Sequence, residues 1–422
     1  MGCSNGDRHL SQSIEDCVAK LGAGSLTQEG LRNHVWQLFS RVLASQSERG
    51  EIYLANHSLG RPLDQTSDDV ARGLEIWYSK MDNAWDNDGW PNELALFRKR
   101  VASLIGLSQP DAVIPKSSAG QGLRAVLNSF PPNKVIQIVA SRGEFDSIDH
   151  ILKSYAVGGR AQVTWVEPVY YEEQLPLFDH NQFVESILPE TDLVVVSQVF
   201  FSTAQIFPHI NLVAQKAHDV GAQILVDAYH SAGVIPIDMD SNDFDFMIGG
   251  SYKYCRGGPG ACWLAINPKL LNGKLQTLDT GWYAKDKPFN YNRTDKPTFA
   301  KDGDAWLEST PPVLTYFQSS AGLRLILAIS IERLREYNLW QLSELRTAFK
   351  KQNVMCHVPS EPADFGAFCL LHSKNAPELS SALKQKGLVT DARGNFVRFG
   401  PDILNSVEEF HKAAKIVSST IT

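Results

Sequence analysis

The stretch Asp243–Ala261, DFDFMIGGSYKYCRGGPGA, holds the residue best placed for chemistry. Lys253 sits between Tyr252 and Tyr254. It follows an apolar run, Phe244–Ile248, that reads as a short buried strand, and two glycines. It precedes Gly257-Gly258-Pro259-Gly260, where the chain must turn. An amine just past a buried strand can be kept neutral by desolvation, as imine formation requires. Four further features have matching positions. Asp227 ends the apolar strand Ile224-Leu225-Val226, and His230 follows three residues later. Ser117 and Ser118 open a helix after the strand Ala112–Ile114, and Phe145 follows the strand Val135–Ala140. Taken singly, each has a plain structural explanation: a solvated lysine, a helix cap, an N-cap pair, a packed histidine.

As a set they meet the requirements of a pyridoxal 5'-phosphate site. Lys253 is the amine for a Schiff base. Asp227 is the carboxylate that keeps the pyridine nitrogen protonated. Ser117 and Ser118 offer hydroxyls and N–H groups to a phosphate at a helix N-terminus. Phe145 or His230 is the flat group against the ring.

The elements that must position them alternate strand and helix from about residue 111. Strands are expected at 135–140, 162–166, 193–197, 223–226, 244–248 and 261–266, with helices between them. The alternation implies an α/β fold with a large, mostly parallel sheet covered on both faces. Ligands in such sheets lie outside the carboxyl ends of the strands. That rule puts Ser117, Phe145, Asp227 and Lys253 on one rim. Residues 1–50 read as a helical arm with Ser25 or Thr27 as a cap, 51–312 as the large α/β domain, and 313–422 as linking helices with a small α+β domain. Helices are expected at 314–337 and 340–352. The irregular stretch 268–310 is long enough to be functional or subunit-bridging.

Composition narrows the class. The chain has 422 residues, 43% hydrophobic and 21% charged, with net charge −7. A basic block is missing, which argues against nucleic acid as a partner. A run of about 18 apolar residues is missing too, which argues against a membrane span. Six cysteines without CxxC spacing argue against a metal site or a disulfide framework, and with them for a cytoplasmic protein. Met1-Gly2 invites myristoylation, but Gly6 stands where that motif needs Ser or Thr.

Val226-Asp227-Ala228-Tyr229-His230-Ser231-Ala232-Gly233, then Gly250-Ser251-Tyr252-Lys253-Tyr254 and Gly258-Pro259-Gly260, resemble the class V aminotransferase superfamily of fold type I pyridoxal phosphate enzymes. Within it, Asn56-His57-Ser58-Leu59-Gly60, Gly281-Trp282 and Thr310-Pro311-Pro312 are similar to the G-N-S-L-G, G-W-W and N-P-P stretches of the kynureninases. The resemblance spans about residues 51–415. It implies that Ser117, Ser118 and Tyr252 hold the phosphate, that Phe145 stacks on the ring, and that His230 lies beside it. Asp227 then pairs with the ring nitrogen, and Lys253 forms the Schiff base and shuttles the α-proton with Tyr252 as its catalytic neighbour. Thr203 joins the cofactor contacts. Trp282 and Thr310 would reach the phosphate of a neighbouring subunit, which implies a homodimer. Arg398 would take the substrate carboxylate, with His57 and Ser58 also at the substrate. The sequence departs from the family pattern at His57, Ile148, Tyr283 and Thr310.

The expected activity is hydrolytic Cβ–Cγ cleavage of kynurenine or 3-hydroxykynurenine to alanine and an anthranilate. The alternatives are an aminotransferase, lyase or epimerase on another amino acid, a cysteine desulfurase as the weakest of these, and a non-catalytic protein of the same fold.

Overall fold

The computed structural model describes residues 13–171, 175–358, 361 and 364–421. Met1-Gly2 and Cys3 lie outside them. At the centre is a seven-stranded sheet. From edge to edge it runs Val113–Lys116, Cys262–Ile266, Phe246–Gly250, Gln223–Asp227, Leu193–Ser197, Ile136–Ser141 and Ala161–Val166. Cys262–Ile266 is antiparallel to both neighbours, and the remaining adjacent pairs are parallel. Both faces are covered, which is why the strands read as unbroken apolar runs. In Leu193–Ser197, Val194 and Val196 pack into one core and Leu193 and Val195 into the other.

The strand expected at 244–248 lies at Phe246–Gly250, two residues later. Asp245 sits at its edge, accepting from Ile224 N at 2.8 Å and facing His218 Nε2 at 2.9 Å. Gly249 and Gly250 belong to the strand because neighbouring rings fill their side-chain space. A Cβ on Gly250 would lie 2.5 Å from the Tyr229 hydroxyl, and one on Gly249 would lie 2.5 Å from Trp263.

A smaller unit follows, with an antiparallel sheet in the order Cys369–His372, Phe396–Phe399, Asp391–Arg393. Helices Ala376–Gln385 and Val407–Ile421 pack with it. Its core takes in Ile52 and Leu54 from far upstream. Ile52–Tyr53 pairs in parallel with Leu388–Val389, and Ala55 bridges Gly400. The start of the 51–312 segment is therefore stitched into the C-terminal unit.

The linking helices are Val313–Ile329 and Ile331–Lys350, bent by 84°. The break expected near 338 falls instead at Ser330, which has φ +81° and caps the second helix by accepting from Arg333 N at 3.4 Å. Neither Gly nor Pro marks it, and Asn338 is buried inside a continuous helix. The N-terminal arm rests on the first of these helices, where Arg324 grips Glu15 at 2.8 and 2.6 Å. No single helix among the described residues is long and apolar enough to cross a membrane.

Candidate active site

A cavity of about 530 Å³ opens at the carboxyl ends of the parallel strands. Ser117, Ser118, Phe145, Asp227, His230 and Lys253 line it, with Tyr252 beside Lys253. Six of these seven come from loops that follow a strand, and Asp227 is itself the last residue of one.

Lys253 is fixed from behind. The loop Ala55–Pro62 presses on its backbone: Gly60 N donates to Tyr252 O at 3.2 Å, and a Cβ on Gly60 would lie 1.9 Å from the Lys253 carbonyl oxygen. Only glycine fits there. The Lys253 Nζ meets His230 Nε2 and lies 5.6 Å from the Phe145 ring centre and 5.2 Å from that of Tyr229. Burial, reinforced by the positive charge of Arg398, pulls the Lys253 amine down to about 7. Burial likewise holds His230 neutral, its pKa well below the usual imidazole range. His230 and Lys253 share one hydrogen bond through Nε2 and Nζ, which leaves the other ring nitrogen, Nδ1, facing away from the amine. That Nδ1 is buried and has no hydrogen-bond partner among the described residues.

Asp227 accepts from Tyr229 N at 2.8 Å. Burial pushes its carboxyl up to about 6, against that hydrogen bond and the charge of Lys253. A cationic ring nitrogen is the partner such a buried carboxylate lacks. Ser118 caps the helix Ala119–Leu127, its Oγ accepting from Gln121 N at 3.1 Å. Ser117 donates through N and Oγ to Gln121 Oε1 at 2.9 and 3.1 Å. Gln121 also donates to Glu308 Oε1 at 2.8 Å, which is in turn held by Lys116 at 3.0 Å. Sequence reasoning missed Gln121, which looks like an ordinary helix-surface residue.

The three expected substrate contacts do not line the cavity. They converge instead on Asp391, a second residue that sequence reasoning missed. Its carboxylate accepts from His57 Nε2 at 2.8 Å, from Ser58 Oγ at 2.6 Å, and from Arg398 through Nε at 2.8 Å and through Nη2. Arg398 also donates through Nη1 to the Phe201 carbonyl, and its guanidinium lies 5.3 Å over the Phe368 ring. Arg398 is 2% exposed. Burial alone would raise the Asp391 carboxyl, but the hydrogen bonds and charge facing it hold it well below the usual carboxylate range. His57, desolvated and facing Arg398, is held at about 4 and donates as a neutral imidazole. The one local hint is that Asp391 stands opposite Arg398 across the turn at Gly394-Asn395, in register in the hairpin.

Thr203, Trp282 and Thr310 do not line this cavity either. Thr203 is fully buried, its Oγ1 accepting from Gln205 N at 3.3 Å. Trp282 packs with Tyr283 and Phe289, and Thr310 is exposed. Ile148, buried, adds to the apolar wall of the cavity.

Sheet, small unit and rim together make this a fold type I pyridoxal phosphate enzyme. The chain belongs to the aminotransferase class-V family, matched over residues 91–395. Relatives include a kynureninase from Pseudomonas fluorescens, 26% identical over 83% of this chain and 84% of its own length. A kynureninase from Bacillus cereus is 27% identical over 88% of both chains, and an uncharacterized aminotransferase from Bacillus subtilis is 23% identical over 83% and 91%. Among solved structures, the apo cysteine desulfurase of Thermococcus onnurineus has a TM-score of 0.75 at 16% identity, covering 88% of this chain and 94% of its own. A mutant of the protein C-DES, with glycine covalently linked to its PLP cofactor, has a TM-score of 0.76 at 17% identity, covering 90% and 98%. These likenesses show the fold.

The cofactor of the family is pyridoxal phosphate, and the donor set fits it. A buried carboxylate with no ion pair among the described residues, a desolvated lysine, an aromatic face and a helix N-terminus with two hydroxyls stand around one cavity.

Proposed function

We propose that this enzyme is a kynureninase-like hydrolase that cleaves the Cβ–Cγ bond of kynurenine or 3-hydroxykynurenine. The observation that carries the reading is the apolar part of the lining of the cavity that holds Lys253, contributed by Val199, Phe201, Ile148 and Ile151. It suits an aryl side chain rather than a short polar one. The kynureninase relatives support the same reading.

When bound, pyridoxal phosphate supplies the electron sink for a carbanion at the substrate α-carbon. Ser117, Ser118 and Tyr252 would hold its phosphate, and Phe145 and His230 would flank its ring. Asp227 would hold the proton on the ring nitrogen. Lys253 would take the α-proton at Nζ; an amine held at about 7 can work as a base near neutrality. Arg398 binds the α-carboxylate through the N–H donors that Asp391 and Phe201 leave free. Water would add to the γ-carbonyl and the Cβ–Cγ bond would break, the acyl half leaving as an anthranilate. The Tyr252 phenol would give a proton to Cβ and Lys253 would return the α-proton to Cα, which completes alanine. We further propose a cytoplasmic homodimer in which Trp282, Thr310 and Thr203 serve the cofactor environment, the first two from across the interface.

The Bacillus subtilis relative favours a second reading, transamination of another amino acid. A desulfurase needs a reactive thiol at the substrate, and neither Cys356 nor Cys369 lines the cavity. Cys262, which does, is 3% exposed, lies 3.5 Å from the Tyr229 hydroxyl and has its thiol pKa raised by burial, the reverse of an activated thiolate. Incubation with kynurenine and 3-hydroxykynurenine, followed by anthranilate fluorescence, tests the proposal. Anthranilate with equimolar alanine supports it. Absence of both, with amino transfer to a 2-oxo acid instead, favours the second reading.

A further inference from the structure

Glu144 is a buried carboxyl that the chemistry above leaves unused. It is 3% exposed and makes no ion pair among the described residues. A carboxyl taken out of water without a cation costs several kcal/mol unless hydrogen bonds or a proton compensate. Here the hydrogen bonds are specific. Oε1 accepts from Ser141 Oγ at 2.5 Å and from Ser197 N at 3.2 Å, and Oε2 accepts from Ser197 Oγ at 2.6 Å.

Those partners define what Glu144 joins. Ser141 ends one strand of the sheet and Ser197 ends the next. Ser197 is in register with Asp227 on the strand beyond and lines the cavity itself. Glu144 immediately precedes Phe145, whose ring faces the Lys253 amine. Phe145 opens the helix Asp146–Val157 with no side-chain cap to hold it. Glu144 is thus the side chain that fastens the Phe145 loop to the strand ends carrying Ser197 and Asp227.

We infer that Glu144 is a positioning residue for the cofactor ring, fixing the separation between the stacking face of Phe145 and the carboxylate of Asp227. The inference rests on the assignment of pyridoxal phosphate to this cavity. Burial pushes the Glu144 carboxyl up to about 7, and Asp227 is the charged group that adds to the rise. Near neutrality, then, Glu144 can keep a proton and leave the negative charge at the ring to Asp227.

The test uses pyridoxal phosphate itself, without substrate. Wild type, Glu144→Gln, Glu144→Ala and Ser197→Ala are titrated with the cofactor, and the visible absorbance and its induced circular dichroism are recorded, with Lys253→Ala as the control. Glu144→Ala should bind at least tenfold more weakly, with a changed induced signal at saturation, because ring tilt is no longer fixed. Glu144→Gln keeps the shape and should recover most of the affinity. Ser197→Ala should move the signal in the same direction as Glu144→Ala. If Glu144→Ala does not fold, Ser197→Ala decides: wild-type affinity and signal there overturn the inference, as they would in a folded Glu144→Ala. A wild type that binds no cofactor, indistinguishable from Lys253→Ala, overturns the cofactor assignment instead.

Discussion

Asp391 holds Arg398 by the Nε–Nη2 edge of its guanidinium, and the same carboxylate is gripped by His57 and Ser58. The residue expected to receive a substrate carboxylate already carries an internal one. This fixes the orientation of the guanidinium and neutralises much of its charge before any substrate arrives.

Removing the arginine should therefore cost binding more than chemistry. Arg398→Ala deletes a charge-assisted contact worth about 1.5–3 kcal/mol, so KM for the amino-acid substrate should rise roughly ten- to a hundredfold. An unchanged KM would show that the substrate carboxylate is bound by another group.

Asp391 makes a different prediction, on stability. Asp391→Asn leaves the Arg398 charge buried without its counter-ion, a loss of about 3 kcal/mol by analogy with other broken buried pairs. The low end of the usual range is chosen because the Asp391 side chain is 18% exposed. Since its folded pKa is depressed, the stability it contributes is complete above the ordinary carboxylate range and fades as pH falls through and below it. Urea unfolding should thus separate wild type from Asp391→Asn clearly at pH 7 and less at pH 3.5. A gap that stays constant would contradict the assignment.

The lysine predicts a pH profile for cofactor capture. Because its amine is pulled down to about 7, the neutral nucleophile fraction grows as pH rises through 7 and is nearly complete by 8.5. The initial rate of growth of the visible band on mixing apoenzyme with pyridoxal phosphate should follow that curve. A rate still climbing steeply between pH 9 and 10 would mean a solvated, ordinary lysine. Lys253→Ala should stay colourless at every pH.

The backing loop gives a steric test. Gly60→Ala places a methyl carbon 1.9 Å from the Lys253 carbonyl oxygen, a backbone atom that cannot swing aside. A stability loss of about 1–3 kcal/mol is expected from overpacking, together with weaker cofactor binding. Wild-type melting and wild-type cofactor affinity in that variant would show that the loop does not brace the lysine.

Much of the rim was legible in the sequence because the parallel strands are short, apolar and punctuated. Asp227 and Lys253 could be placed by finding where each apolar run stopped. The strand at 246–250 was read two residues early because glycines look like an ending, whereas here Tyr229 and Trp263 occupy the space their side chains would fill. The helix break at Ser330 was invisible because a positive φ at a serine is imposed by tertiary packing, not by local preference. Asp391 and Gln121 escaped for a related reason. Each has one near partner, Arg398 for Asp391 and Ser117 for Gln121, but the contacts that tie them to the site, with His57 and Ser58 and with Glu308, come from distant segments and leave no local mark. Arg398 was identified by motif, but its burial and its internal partner belong to the three-dimensional arrangement alone.

The pairing of Ile52–Tyr53 with Leu388–Val389 has a consequence for how the enzyme comes into being. The walls of the cavity come from residues 117–262. The loop bearing His57 and Ser58 is made first, yet it docks on Asp391 across a sequence separation of 334 residues. Closing so long a loop is slow, and its contacts are repaid only at the end. The arginine clamp can therefore close only after the C-terminal unit has been made, although the loop that completes it is among the first segments to leave the ribosome.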